Sequence, residues 1–374
     1  MKKIFMGLLV LSVSTHGFAN YLSNYNEPNA TKLIEAMRRH SFHVVQLGDS
    51  HTAGDSMTGT LRDELQSRYG NGGMGWSMPM YFSGQRLLKF GYDKQDWTPI
   101  SSRRNHQEDY TIGGLLAKPN GMGSQLTIKS RQDQPEQHIV VSIKQGDGDG
   151  FFSGIDAYGR SFLLEAPVKN GTWQTAHIQA KLPFIITAQG AMSDSYLGGW
   201  WAFEPNRAGA VVSALGINGA ELAHWNRWND LAWQNELKDV APDLIILAYG
   251  TNEAYNDREP KVVQQVLQEK VRSIRQAVPS AAVMIVSSPE TLKSTSGQCG
   301  TRPSGLTQIQ QAQKDVAMSE QTLFWDWQQA MGGECSMATW MRDGKAAKDG
   351  VHFTHAGYAQ LGKQLANDLI EFTY

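Results

Sequence analysis

The chain has 374 residues, 41% of them hydrophobic and 19% charged, with a formal net charge of −2 at pH 7. That composition suits a folded protein of one large domain or two moderate ones. No Lys/Arg block stands out, which argues against a nucleic-acid partner.

Lys2 and Lys3 precede the apolar run IFMGLLVLSV, and the small residues Gly17 and Ala19 follow it. This is the pattern of a secretory signal peptide over residues 1–19, cut before Asn20. The run is too short to span a bilayer comfortably, and no later segment reads as a membrane helix. Export would carry Cys299 and Cys335 into an oxidising compartment, where one bridge between them is expected. Two unpaired thiols in separate loops are the alternative.

HVVQL, bounded by Gly48, reads as a buried strand. DSMTGTLRDELQSRYG follows, with Met57, Leu61 and Leu65 at helical spacing and Gly70 as its stop. GNGGMGW, residues 70–76, reads as a loop: either a plain connection or a rim that turns Trp76 towards a substrate. From 81 to 207 helical periodicity disappears. Short alternating runs such as SQLTIKS, HIVVSIKQ and PFIITAQG are separated by Gly, Asp and Pro turns. A connection this long is not a loop, and it predicts an inserted all-β sandwich. Within it, GDGDG at residues 146–150 reads as a hairpin turn, because a calcium site needs more oxygen ligands. Nor does any Cys/His spacing suggest zinc.

After residue 207 strands and helices alternate. AGAVVSALG, PDLIILAYG, AAVMIVSS and TLFWDW are the strand candidates, and THAGYAQLGKQLANDLIEF is a terminal amphipathic helix. This predicts an α/β fold with a parallel, doubly wound sheet, formed by residues 20–80 and 208–374 around the insert at 81–207. Trp225 and Trp228 are at helical spacing and read as core. Trp200 and Trp201 fit either sandwich packing or the face between insert and sheet.

Gly-Asp-Ser occurs twice, ending at Ser50 and at Ser56. Ser50 follows the strand HVVQL, at the carboxyl end where open α/β sheets bind ligands. It is the candidate nucleophile. Ser56 opens the next helix, where it or Asp55 is expected to act as N-cap. A serine nucleophile needs a base and oxyanion donors. DGVHFTHAGY supplies His352, three residues after Asp349, which could orient it. Gly219 in GINGAE and Asn252 in YGTNEA also sit just past strand ends, and could offer a backbone N–H and a side-chain amide. His51 and His355 flank these residues and are expected only to shape the turns.

This ordered set resembles the SGNH (GDSL-type) hydrolase superfamily, with Ser50, Gly219, Asn252 and His352 at its four name-giving positions. Block one departs from the usual lettering, reading Gly-Asp-Ser-His, so simple lipase-like members are poorer models. VQLGDSHTAGD, YGNGGMGW, ALGINGAEL, YGTNEAYND and DGVHFTHAGY bring the chain nearer to the peptidoglycan O-acetylesterases of Gram-negative bacteria. That resemblance implies a flavodoxin-like hydrolase fold with an insert resembling a carbohydrate-binding module. It implies a triad of Ser50, Asp349 and His352 and an oxyanion hole from Ser50, Gly219 and Asn252, without metal or organic cofactor. It also implies a periplasmic enzyme that removes the C6 acetyl group of N-acetylmuramic acid, so that lytic transglycosylases can act. The rival readings are an acetyltransferase with the same residues, an esterase acting on another polysaccharide such as acetylated xylan, and a non-catalytic glycan-binding protein.

Overall fold

The computed structural model describes residues 20–374. The expected signal peptide, residues 1–19, lies outside them. Among the described residues no helix is long and apolar enough to cross a membrane.

The chain opens with strands β1 (Leu22–Asn24) and β2 (Ser41–Gly48) and helices α1 (Ala30–Arg38), α2 (Ser50–Ala53) and α3 (Ser56–Tyr69). Eleven strands follow without a helix: β3 (Gly75–Ser77), β4 (Phe90–Gln95), β5 (Trp97–Ser101), β6 (Leu115–Pro119), β7 (Gln125–Ser130), β8 (Gln137–Lys144), β9 (Phe151–Ile155), β10 (Ser161–Leu164), β11 (Trp173–Ala180), β12 (Phe184–Gln189) and β13 (Tyr196–Phe203). Alternation then resumes with β14 (Gly209–Gly216), a 3-10 turn (Leu222–Arg227), α4 (Asp230–Val240), β15 (Leu244–Ala248), α5 (Thr251–Tyr255) and α6 (Pro260–Ala277). It ends with β16 (Ala282–Val286), α7 (Leu306–Ser319), β17 (Leu323–Trp325), α8 (Trp327–Met331), α9 (Ser336–Arg342) and α10 (His355–Glu371).

One sheet takes the order β1-β17-β16-β15-β2-β14. From β14 through β2, β15 and β16 to β17 every pair is parallel. Counted along the chain, the first of these five strands lies between the second and the third. That is the flavodoxin-like order, and its crossover reversal opens a crevice at the carboxyl ends of β2 and β15. Seven of the eight residues of β2 are buried, as expected for a central strand covered on both faces. The sheet is not wholly parallel, because β1 pairs antiparallel with β17 at the edge. The three residues Leu-Ser-Asn carry too little apolar pattern to announce a strand.

The β-rich stretch forms two antiparallel sheets, β10-β9-β12-β7-β4 and β11-β8-β13-β6-β5, with β3 added beside β13. Pairing of β3 with Trp200–Ala202 turns the expected Gly-rich loop partly into strand, ahead of residue 81. Trp76 is thereby buried, so the rim reading falls. The 146–150 turn does not close a hairpin either. It carries the chain from β8 in one sheet to β9 in the other. Asp149 holds it by accepting from the Gly146 and Asp194 N–H groups and the Ser195 hydroxyl.

The adjacent tryptophans divide, because alternate residues of a strand face opposite ways. Trp200 packs on Phe184 inside the sandwich. Trp201 points to the hydrolase sheet and donates from Nε1 to Glu236 on α4 at 2.6 Å. Trp225, Trp228 and Trp233 cluster in the core. Cys299 and Cys335 form a disulfide.

Candidate active site

Three strand ends and one loop build the site. Asp49 follows β2 and caps α2, its Oδ1 accepting from the His51 N–H at 2.9 Å. Ser50 is therefore the first residue of a short helix at the mouth of the crevice. β14 ends directly against that helix. A Cβ at Gly216 would lie 2.1 Å from the Ala53 nitrogen, so only glycine permits the approach.

His352 reaches Ser50 from the far end of the chain. Its Nε2 lies 2.9 Å from Ser50 Oγ, and its Nδ1 lies 2.8 Å from Asp349 Oδ2. Asp349 Oδ1 also accepts from the N–H groups of Val351 and His352. Burial pulls the Asp349 carboxyl upward, but these hydrogen bonds outweigh it and hold its pKa below the ordinary value. A carboxylate at Nδ1 keeps that proton in place and leaves Nε2 to accept from the serine. The loop is anchored on both sides. Leu292 N donates to Gly350 O at 2.8 Å, and Phe353 packs between Trp327 and Trp340. His51 stands behind His352, with ring centroids 5.4 Å apart, and shares a hydrogen bond with Tyr358. Burial, then the neighbouring His352, depress its pKa to about 3, so it is a neutral wall.

The Ser50 and Gly219 N–H groups have no acceptor among the described residues. Gly219 sits at φ +70°, in the region that favours glycine, and a Cβ there would meet the Arg103 guanidinium at 2.9 Å. Asn252, on α5 just past β15, spends its amide protons on Ala220 O at 2.9 Å and on Asp49 Oδ2 at 3.3 Å. The longer contact is the weaker of the two.

Burial drives the Asp49 carboxyl up to about 7. Glu253, next to Asn252, is likewise raised to about 7 by burial. It ties the loops together by accepting from Leu222 N at 2.8 Å and Gly250 N at 2.9 Å. Sequence reading passed over Glu253 and Arg103. Glu253 lies within the quoted YGTNEA, but only the fold reveals that it reaches the Gly219 loop. Arg103 comes from the insert, with no local motif to mark it.

The second Gly-Asp-Ser is built differently. Asp55 lies at φ +51° and uses its carboxylate on Thr58 Oγ1, Arg62 and the Leu88 N–H. Ser56 Oγ makes only a 3.5 Å contact to Gly54 O. Neither side chain caps α3 in the expected way. The ion pair with buried Arg62 takes the carboxylate instead.

Residues 72–185 match the family model described as Peptidoglycan O-acetylesterase, N-terminal. Residues 177–360 match that of the GDSL-like Lipase/Acylhydrolase family. A solved structure of a peptidoglycan O-acetylesterase is 37% identical, covers 94% of this chain and 99% of its own, and superposes with a TM-score of 0.85. The chain belongs to the peptidoglycan O-acetylesterase family. As in that family's solved member, a GDSL-type hydrolase sheet and a β-sandwich region are combined in one chain. Family two carbohydrate esterases are more distant. The one from Clostridium thermocellum is 12% identical over 70% of this chain and 98% of its own, with a TM-score of 0.33. The one from Cellvibrio japonicus is 11% identical over 76% and 99%, also with a TM-score of 0.33. No match was found among curated protein sequences.

Proposed function

We propose that this protein is a serine esterase that removes the C6 acetyl group of N-acetylmuramic acid in periplasmic peptidoglycan, freeing the strand for lytic transglycosylases. The observation that carries the chemistry is the unbroken chain from Asp349 through His352 to Ser50, facing two N–H groups without acceptors. Membership of the O-acetylesterase family supports the substrate.

His352 Nε2 takes the proton as Ser50 Oγ attacks the acetyl carbonyl carbon. The N–H groups of Ser50 and Gly219 and the amide of Asn252 hold the oxyanion. When the tetrahedral intermediate collapses, the bond between the acyl carbon and the C6 oxygen breaks, and His352 gives the proton to that oxygen, which departs as the sugar hydroxyl. A water molecule, deprotonated by His352, then attacks the acetyl-serine. Acetate leaves and Ser50 is regenerated. Every proton and leaving group is accounted for by these residues and water, so the route calls on no metal or organic cofactor.

The test is acetate release from O-acetylated peptidoglycan by the mature protein and by Ser50→Ala. Release by the wild type alone is expected. Hydrolysis of a small acetyl ester without release from peptidoglycan would overturn the substrate assignment.

A further inference from the structure

We propose that the groove beside α2 is a subsite for a carboxylate carried by the glycan strand, next to the acetyl-cleaving centre. The proposal rests on the peptidoglycan reading above and adds to it what the enzyme recognises beyond the acetyl group.

The groove is a cavity of about 850 Å³ between the segment 78–92, the α2–α3 turn and the start of α10. Gly54 and Ser56 form one wall. Gly54 is the C-cap of α2, the helix that begins with Ser50, and Ser56 opens α3. His355 forms another, three residues past His352. Two hydrogen bonds tie the floor to the catalytic elements. Arg86 N donates to Ala53 O at 3.0 Å, and Asn218, next to Gly219, donates from its side chain to Gly84 O. The end of α2 and the start of α10 thus border the groove, and the Gly219 loop is hydrogen-bonded to its Gly84 wall.

Its lining has one sign of charge. Arg86 and Arg131 line it, with His355, and no Asp or Glu does. Neither arginine has an ion-pair partner among the described residues, although Arg131 Nε is fixed by Phe90 O at 2.8 Å. Unpaired guanidinium groups at the edge of a cleft are well suited to a carboxylate. A second observation is independent of charge. Gln85 lines the groove and is only 7% exposed, yet its Oε1 has no hydrogen-bond partner. Its Nε2 finds only Met78 Sδ at 3.9 Å. A buried amide left unmatched is costly, and a hydroxyl or amide N–H on a ligand would satisfy it. Tyr81, 54% exposed, offers an aromatic face at the entrance. An anionic, hydroxyl-rich ligand matches all of these features, whereas a neutral polysaccharide would leave the guanidinium groups unanswered. In peptidoglycan the carboxylates are those of the stem peptide or, where the stem is absent, of the lactyl ether.

Arg86→Ala is the cleanest probe, because the side chain is exposed and its backbone contact survives. Gln85→Met and Arg131→Lys are companions that keep the shape of the groove. Kinetics would be compared on O-acetylated peptidoglycan, on the same material stripped of stems by an amidase, and on 4-nitrophenyl acetate. Arg86→Ala is expected to raise KM on peptidoglycan roughly tenfold at low salt, with kcat unchanged, as for loss of one charge-assisted contact. The difference should shrink at high salt, and the small ester should be unaffected. A KM increase that persists on stripped material assigns the lactyl carboxylate, and one that vanishes there assigns the stem. An unchanged KM on peptidoglycan, with the wild type active, would overturn the subsite alone. So would an equal loss on the small ester. A wild type that cleaves the small ester but not peptidoglycan would overturn the parent reading and the subsite with it.

Discussion

Gly-Asp-Ser at residues 48–50 ends a buried central strand, and its serine meets a histidine brought from the far end of the chain. Gly-Asp-Ser at residues 54–56 opens a helix, and its serine meets only a carbonyl. Their aspartates differ as sharply. Among the described residues Asp49 has no cationic partner; it accepts from Asn252, while Asp55 is locked to Arg62. The same three letters thus build the proposed catalytic site in one place and a structural ion pair in the other. What separates them is which elements converge on each.

Ser50→Ala should lower turnover of an acetyl ester by roughly 10⁶-fold in a folded protein. If Ser56→Ala did so instead, the roles of the two copies would be reversed. Asn252→Ala probes the donor that Asp49 holds in place. It should cost about 10²–10³ in kcat, read in the same assay. In the second copy the largest effect falls on stability. Asp55→Ala strands the buried Arg62 guanidinium and should cost about 3–5 kcal/mol in chemical denaturation.

The lone carboxyl of the first copy predicts a pH signature. Its folded pKa, about 7, exceeds the unfolded value, so the folded chain holds its proton where the unfolded chain has released it. Stability from this group is full below about pH 4 and is lost as pH rises towards the folded pKa. Asp49→Asn should flatten the stability-versus-pH curve in that window by about 1.4 kcal/mol per pH unit, measured by denaturation at several pH values. An unchanged slope would mean that Asp49 is already ionised in the folded state. Smallest of all, Ser56→Ala should leave kcat alone and shift stability by no more than about 0.5 kcal/mol, since the one hydrogen bond its hydroxyl donates among the described residues is long.

Much of the fold was legible because buried parallel strands are apolar runs with helical periods between them. β2, β14, β15, β16 and the terminal helix all follow that rule. β1 and β3 do not. Each is three residues long, and each exists because a distant strand offers a free edge. The candidate site residues were legible where they follow strand ends, as Ser50, Gly219 and Asn252 do, or share a short motif before the terminal helix, as Asp349 and His352 do. Arg103, Glu253 and the lining of the groove were not. Their positions depend on how the insert and the loops fold back, and no local period records that. The expected helix cap failed for a similar reason, because a cap is a local rule and Arg62 intervened from the next turn of the same helix.

The place of β2 has a temporal consequence. It is synthesised early, yet its neighbours are β14 and β15, which begin at Gly209 and Leu244. A strand that is buried on both faces must therefore wait, unpaired, while the whole insert is made. His352, whose ring meets Ser50 Oγ, arrives later still, a few residues before the terminal helix. A partly synthesised chain consequently holds Ser50 but not His352. On the proposed mechanism the enzyme is born inert, and it needs shelter for an apolar strand before it can have a substrate.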